Sequence, residues 1–140
     1  MNIDIHFQTH VPIYIQVMDQ IRHKVVAEEL KPGDQLPTVR QLAADLRVNF
    51  NTIARSYRLL DDAGIISTQH GRGTFILEQL NPESTEKLRQ QTLVSLADHF
   101  LTEAHRLGHS PKEVKSLLNQ KVKLWEQEGS PASPEASNIN

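Results

Sequence analysis

Residues 38–64 read TVRQLAADLRVNFNTIARSYRLLDDAG, and the fold turns on this stretch. Thr38 followed by Gln41 has the spacing of a capping box, in which each side chain accepts a hydrogen bond from the other residue's backbone N–H. Behind it Val39, Leu42, Ala43 and Leu46 recur on one face of a helix. That helix is expected to stop around Arg47 and Val48, where Asn49 or Asn51 supplies a side-chain oxygen to cap the next one. The next helix carries Ile53, Ala54, Tyr57 and Leu60 on its apolar side with Leu59 at the margin, and Gly64 ends it. Two short helices joined by a turn of about four residues form a helix-turn-helix, the arrangement that can place its second helix in the DNA major groove.

After Gly64 the period changes. Ile65 to Gln69 and Thr74 to Leu77 are strand-like runs around His70-Gly71-Arg72-Gly73, which predicts a β-hairpin. The glycines permit positive φ and close approach of backbone to a phosphate, and Arg72 makes the tip basic, so the hairpin reads as a wing. Upstream, Val11 or Pro12 starts a first helix in which Ile13, Tyr14, Val17, Met18, Ile21 and Val25 repeat at helical spacing. It is expected to end near Leu30, before Pro32 and Gly33, and Asp34 to Pro37 reads as a tight connection.

From Pro82 the pattern returns to helix, with a stripe of Leu93, Leu96, Ala97, Phe100, Leu101, Ala104 and Leu107 that closes at Gly108. Ser110 and Glu113 form a second capping-box spacing with Pro111 in the first helical position, and Val114, Leu117, Leu118, Val122, Leu124 and Trp125 give that helix its apolar face. Two stripes of this width exceed what a small winged domain covers, so a second copy of the chain is expected to cover them. The fold class is therefore mostly α with a small β-hairpin: a winged helix-turn-helix over 1–80 that folds by itself, and a short all-helical dimerisation or effector region over 81–128. The tail over 129–140, rich in Ser, Pro, Ala and Asn, is expected to be disordered.

Composition narrows the function. A chain of 140 residues with 38% hydrophobic content can bury one ordinary core and a small appendage. It contains no cysteine, which excludes disulfides, thiolate metal sites and thiol catalysis. The first ten residues lack the pattern of a secretory signal, and no apolar run approaches the roughly 20 residues of a membrane span, so a cytoplasmic protein without membrane partners is expected. The net charge of -2 argues against general coating of nucleic acid, yet Arg40, Arg47, Arg55 and Arg58 stand against Asp45 alone between Thr38 and Arg58. That is a local basic footprint in a slightly acidic chain.

Taken together, these residues resemble the GntR family of transcription regulators and, within it, the YtrA-like subfamily. The resemblance is carried by Pro12-Ile13-Tyr14, by the run from Pro32 to Ala43 (PGDQLPTVRQLA), by Asn49 to Tyr57 (NFNTIARSY) and by His70 to Phe75 (HGRGTF). It spans Pro12 to Phe75 in the family's order and spacing. It implies a homodimer that binds a palindromic double-stranded DNA operator, with repression as the default and adjacent transporter genes as targets. No cofactor is expected, and any small-molecule effector is left undefined. The motif match carries DNA contact onto Arg40, Asn49, Phe50, Asn51, Thr52 and Arg55, and onto His70, Gly71 and Arg72 in the wing. Planar guanidinium forks on Arg40 and Arg55 suit phosphate or guanine edges, and the Asn51 amide suits adenine. Two positions depart from the pattern: Phe50 stands where the subfamily often has proline, and Arg47 where glycine is frequent.

Other functions find little support. His105 and His109, with His99, Asp98 and Glu103 nearby, have metal-ligand spacing only if one helix runs through Gly108, so they read as surface histidines. There is no phosphate-cradling loop after a strand and no paired carboxylate, so an enzyme is not expected. The rival is a winged-helix module that binds protein, which calls for an exposed apolar face on the third helix; Asn49, Asn51, Thr52, Arg55 and Arg58 stand there instead. Arg58 reads equally well as a phosphate contact or as an ion pair with Asp61 or Asp62.

Overall fold

The computed structural model describes residues 1–78 and 82–131. Within them the elements run α1 (Ile13–Val26), β1 (Gln35–Leu36), α2 (Val39–Leu46), α3 (Phe50–Asp62), β2 (Ile66–Gln69), β3 (Gly73–Ile76), α4 (Pro82–Arg106) and α5 (Pro111–Glu128). The chain divides into two units, Met1–His99 and Phe100–Asn140. The expected boundary at residue 80 lies outside the described residues, as does the tail from 132 onward.

The helix-turn-helix forms where its caps predict. The Gln41 N–H donates to Thr38 Oγ1 at 3.1 Å and the Thr38 N–H to Gln41 Oε1 at 2.9 Å, closing the capping box of α2. Asn49, not Asn51, caps α3: its Oδ1 accepts from the Asn51 N–H at 2.7 Å. Between them Arg47 takes the left-handed conformation at φ 57, with its N–H bonded to Ala44 O and the Val48 N–H to Ala43 O. This is the helix ending that glycine serves best, which explains why glycine is frequent at this position. A non-glycine residue there carries strain of about 1 kcal/mol, so Arg47→Gly is expected to raise the thermal midpoint by roughly 4–8 °C. A lower midpoint on calorimetry would mean that the arginine makes a contact worth more than the strain.

Two expectations are corrected. Helix α1 ends at Val26 instead of near Leu30, because Glu28 turns left-handed at φ 62. The Glu28 N–H then bonds to Val25 O and the Glu29 N–H to Lys24 O, which closes the helix with a Schellman motif that lacks its usual glycine. The stretch from Asp34 to Pro37 is also more than a connection. Gln35–Leu36 forms β1, antiparallel to β3 with Gln35 opposite Phe75 and Leu36 opposite Thr74, and the sheet order is β1-β3-β2. A two-residue strand has no periodicity of its own; its partner lies almost forty residues away.

The core of the first unit joins Val17, Met18 and Ile21 of α1, Leu42 of α2, Ile53 and Leu60 of α3, and Ile65, Ile66 and Ile76 of the hairpin. Two further segments enter it. Ile3 is buried ahead of α1, and its segment is held by side-chain amides: the His6 N–H donates to Gln16 Oε1 and Gln16 Nε2 to His6 O, while Gln20 makes the same reciprocal pair with Asp4. Leu88, on the second turn of α4, has no exposed surface, and Lys87 Nζ donates at 3.0 Å to Asp62 O at the end of α3.

In the second unit, Gly108 at φ 89 ends α4, and the Ser110–Glu113 capping box starts α5. No residue of α5 is buried, and Leu117, Leu118, Val122, Leu124 and Trp125 are all exposed.

Candidate nucleic-acid interface

Helix α3 is held from behind by two polar anchors. The buried Ser56 hydroxyl donates to Tyr14 O of α1 at 3.0 Å, and the Tyr57 hydroxyl donates at 2.7 Å to Pro37 O, just before α2. Burial pushes the Tyr57 hydroxyl far above its ordinary pKa, so it remains a donor across the physiological range. With Ile53, Ser56, Tyr57 and Leu60 buried, the opposite side of α3 presents Asn51, Arg55 and Arg58 to solvent.

At the start of α3 the side chain of Phe50 is 48% exposed, so it does not fill the core, and Arg40 of α2 lies over its ring at 6.0 Å from the centroid. The structure thus brings Arg40 and Phe50 together. Asn49 is exposed, but its Oδ1 is taken by the cap, which leaves its NH₂ group to donate. Thr52 is half-buried, and its carbonyl, 3.1 Å from Ser56 Oγ, shares the single hydroxyl proton with Tyr14 O. Arg55 is exposed, and its guanidinium stacks on the Tyr14 ring at 3.9 Å from the centroid. Among the described residues, Asp61 and Asp62 included, Arg58 makes no ion pair.

His70, Gly71 and Arg72 form the exposed turn between β2 and β3, closed by the Arg72 N–H bonding to Gln69 O with Gly71 at φ 74. Gln35 of β1 braces this tip through Nε2 to Arg72 O at 3.2 Å. Gly73 must be glycine: it sits at φ 121, and a Cβ there would come within 2.6 Å of Gln35 Nε2. No described contact joins the wing tip to Arg40, Phe50 or Arg55. Sequence reasoning missed Tyr14 and Gln35, since Tyr14 reads as one more apolar residue of α1 and the role of Gln35 depends on β1. The metal spacing of His105 and His109 does not materialise on one helix; His109 Nδ1 lies 3.0 Å from Glu113 Oε2, and His109 holds the Glu113 carboxyl below the usual carboxylate range. None of the described helices is long and apolar enough to cross a membrane.

Comparison with known proteins agrees with this geometry. Residues 13–76 match the family described as bacterial regulatory proteins, gntR family. The chain is 39% identical over 111 residues to the uncharacterized HTH-type transcriptional regulator YhcF of Bacillus subtilis, covering 79% of this chain and 90% of that protein. It is 36% identical over 107 residues to the HTH-type transcriptional repressor YtrA of the same organism, covering 76% and 81%. Among solved structures, YtrA from Sulfolobus acidocaldarius, a GntR-family transcription factor, superposes with a TM-score of 0.54 at 31% identity, covering 86% of this chain and 97% of that one. The winged fold, the matched motifs and the coverage of most of each small relative lead to one assignment: this chain belongs to the GntR family, as a YtrA-like DNA-binding transcription regulator and not an enzyme.

Proposed function

We propose that the protein is a repressor that binds a palindromic operator as a homodimer. In this reading, Arg40, Asn49, Phe50, Asn51, Thr52 and Arg55 meet the major groove and its flanking phosphates, with Arg58 beside them. His70, Gly71 and Arg72 of the wing meet the backbone nearby. The region over 81–128 supplies the dimer contact and any effector response, and transporter genes beside its own are the expected targets. The observation that carries the reading is the exposed side of α3, where Asn51, Arg55 and Arg58 stand on a helix fixed from behind by Ser56 and Tyr57. Repression is supported by the name of the B. subtilis relative, a transcriptional repressor.

The test is titration of the inverted repeat upstream of its own gene. Arg55→Ala is expected to weaken operator binding by about 1–3 kcal/mol, the range for loss of a close base or phosphate contact, with an unchanged circular dichroism spectrum. Wild-type affinity at fixed salt would remove Arg55 from the interface. Arg72→Ala is expected to behave differently, weakening operator and random duplex alike and lowering the salt slope by about 1, as loss of a phosphate contact does. A loss confined to the operator would make the wing a reader of bases instead.

A further inference from the structure

We propose that Tyr14 is a positioning residue for DNA recognition: its ring holds the Arg55 guanidinium in the orientation in which Arg55 meets the operator. The inference rests on the reading of Arg55 as a DNA-contacting residue.

The two side chains come from different helices, and their approach is close. Arg55 Cζ lies 3.9 Å from the centroid of the Tyr14 ring, which is van der Waals contact with the ring face. Tyr14 is only 8% exposed, so its ring is fixed by packing, whereas Arg55 is exposed. The alignment is held a second time through the backbone. Ser56, the neighbour of Arg55, donates from its fully buried hydroxyl to the carbonyl of Tyr14 itself at 3.0 Å. The residue that supplies the ring is therefore bonded to the segment that supplies the guanidinium.

The chemical consequence concerns which part of the guanidinium stays available. A ring against one face takes up the π surface but none of the N–H donors, which all lie in the guanidinium plane. Arg55 has no carboxylate partner among the described residues, so its charge is unneutralised and its donor edge is open to phosphate oxygens or to guanine O6 and N7. A long side chain that would otherwise lose its rotamer freedom on binding is already ordered before DNA arrives, and such preorganisation increases affinity. Arg40 makes a looser pair, 6.0 Å from Phe50, a ring that is itself half-exposed.

The experiment uses the full chain with operator and random-sequence duplexes at two salt concentrations, and the thermal midpoint of each variant. Tyr14→Phe keeps the ring and is expected to bind within about two-fold of wild type. Tyr14→Leu keeps apolar volume without the ring and is expected to bind about two- to thirty-fold more weakly, the span of a cation–π contact. In an Arg55→Ala background the same change is expected to cost nothing further, because a positioning residue acts only through the group it positions. Arg55→Lys, which keeps the charge but loses both the planar stack and the donor fork, is expected to lose at least as much affinity as Tyr14→Leu does, and Tyr14→Met, a second side chain without a ring, decides the matter if Tyr14→Leu fails to fold. A loss shared with random duplex assigns the positioned contact to phosphate; a loss confined to the operator assigns it to a base edge. Wild-type binding by Tyr14→Leu or Arg55→Lys, or a Tyr14→Leu loss that persists in full without Arg55, would overturn the proposal while leaving Arg55 at the interface. Wild-type binding by Arg55→Ala would overturn both.

Discussion

Leu88→Ala is expected to remove about 2–5 kcal/mol of folding stability, although Leu88 lies beyond the helix-turn-helix and the wing. The side chain has no exposed surface and belongs to the same buried cluster as Ile21, Ile53 and Leu60. Deleting it loses the transfer free energy of its methyl and methylene groups and leaves a cavity that a close-packed surrounding only partly fills. Against a total of about 5–15 kcal/mol for an ordinary domain, that loss is large. Leu93→Ala, on the same helix but at a side chain 62% exposed, is expected to change stability by less than about 0.5 kcal/mol. Urea unfolding of the two variants checks this through the transition midpoint, with the slope unchanged. Equal midpoints would mean that α4 does not pack on the winged core in solution. The same packing bears on where the DNA-binding unit ends. A chain cut after residue 80 would lack Leu88 and the Lys87 contact to the end of α3, so it is expected to be less stable than a chain that keeps the first turns of α4.

What was legible in the sequence depended on the distance over which each signal acts. Thr38 with Gln41 and Ser110 with Glu113 announce helix starts because a capping box is closed within one turn, and both formed as spaced. Gly64 and Gly108 mark real stops for the same reason: their positive φ is a local requirement. Glu28 and Arg47 hide comparable stops, since the left-handed conformation there is imposed on residues that do not favour it. β1 was illegible because a pair of residues is a strand only through its bonds to β3, and Leu88 was illegible as a core residue because the helical period cannot tell which face meets the winged unit. At the candidate site the residue types on α3 and the wing tip were readable one by one. The stack of Arg55 on Tyr14 was not, because it arises only when α1 and α3 cross.

A chain ending after His99 is expected to be a monomer and to bind the full operator about 10²- to 10⁴-fold more weakly than the whole protein. The cut keeps Leu88 and Thr92, and so the winged core, but removes α5 and the end of α4. Helix α5 buries none of its residues although Leu117, Leu118, Val122 and Trp125 line it at helical spacing. Phe100, Leu101 and Leu107 add to the apolar surface exposed in that unit. Monomeric proteins rarely leave contiguous apolar surface beyond a few hundred Å² in water, and burial at about 25 cal/mol per Å² favours covering it with a second copy. Two winged domains tied together then act on two half-sites at high effective concentration, an advantage that a lone domain forfeits without losing any DNA contact of its own. Serine at Leu117, Leu118 and Val122 in the full-length chain is expected to reproduce both effects with every winged residue in place. Sedimentation and operator titration read the two halves separately. A full-length protein that sediments as a monomer at micromolar concentration would refute the dimer, whereas a monomeric truncation that binds as tightly as the whole chain would show that one winged domain suffices for the operator.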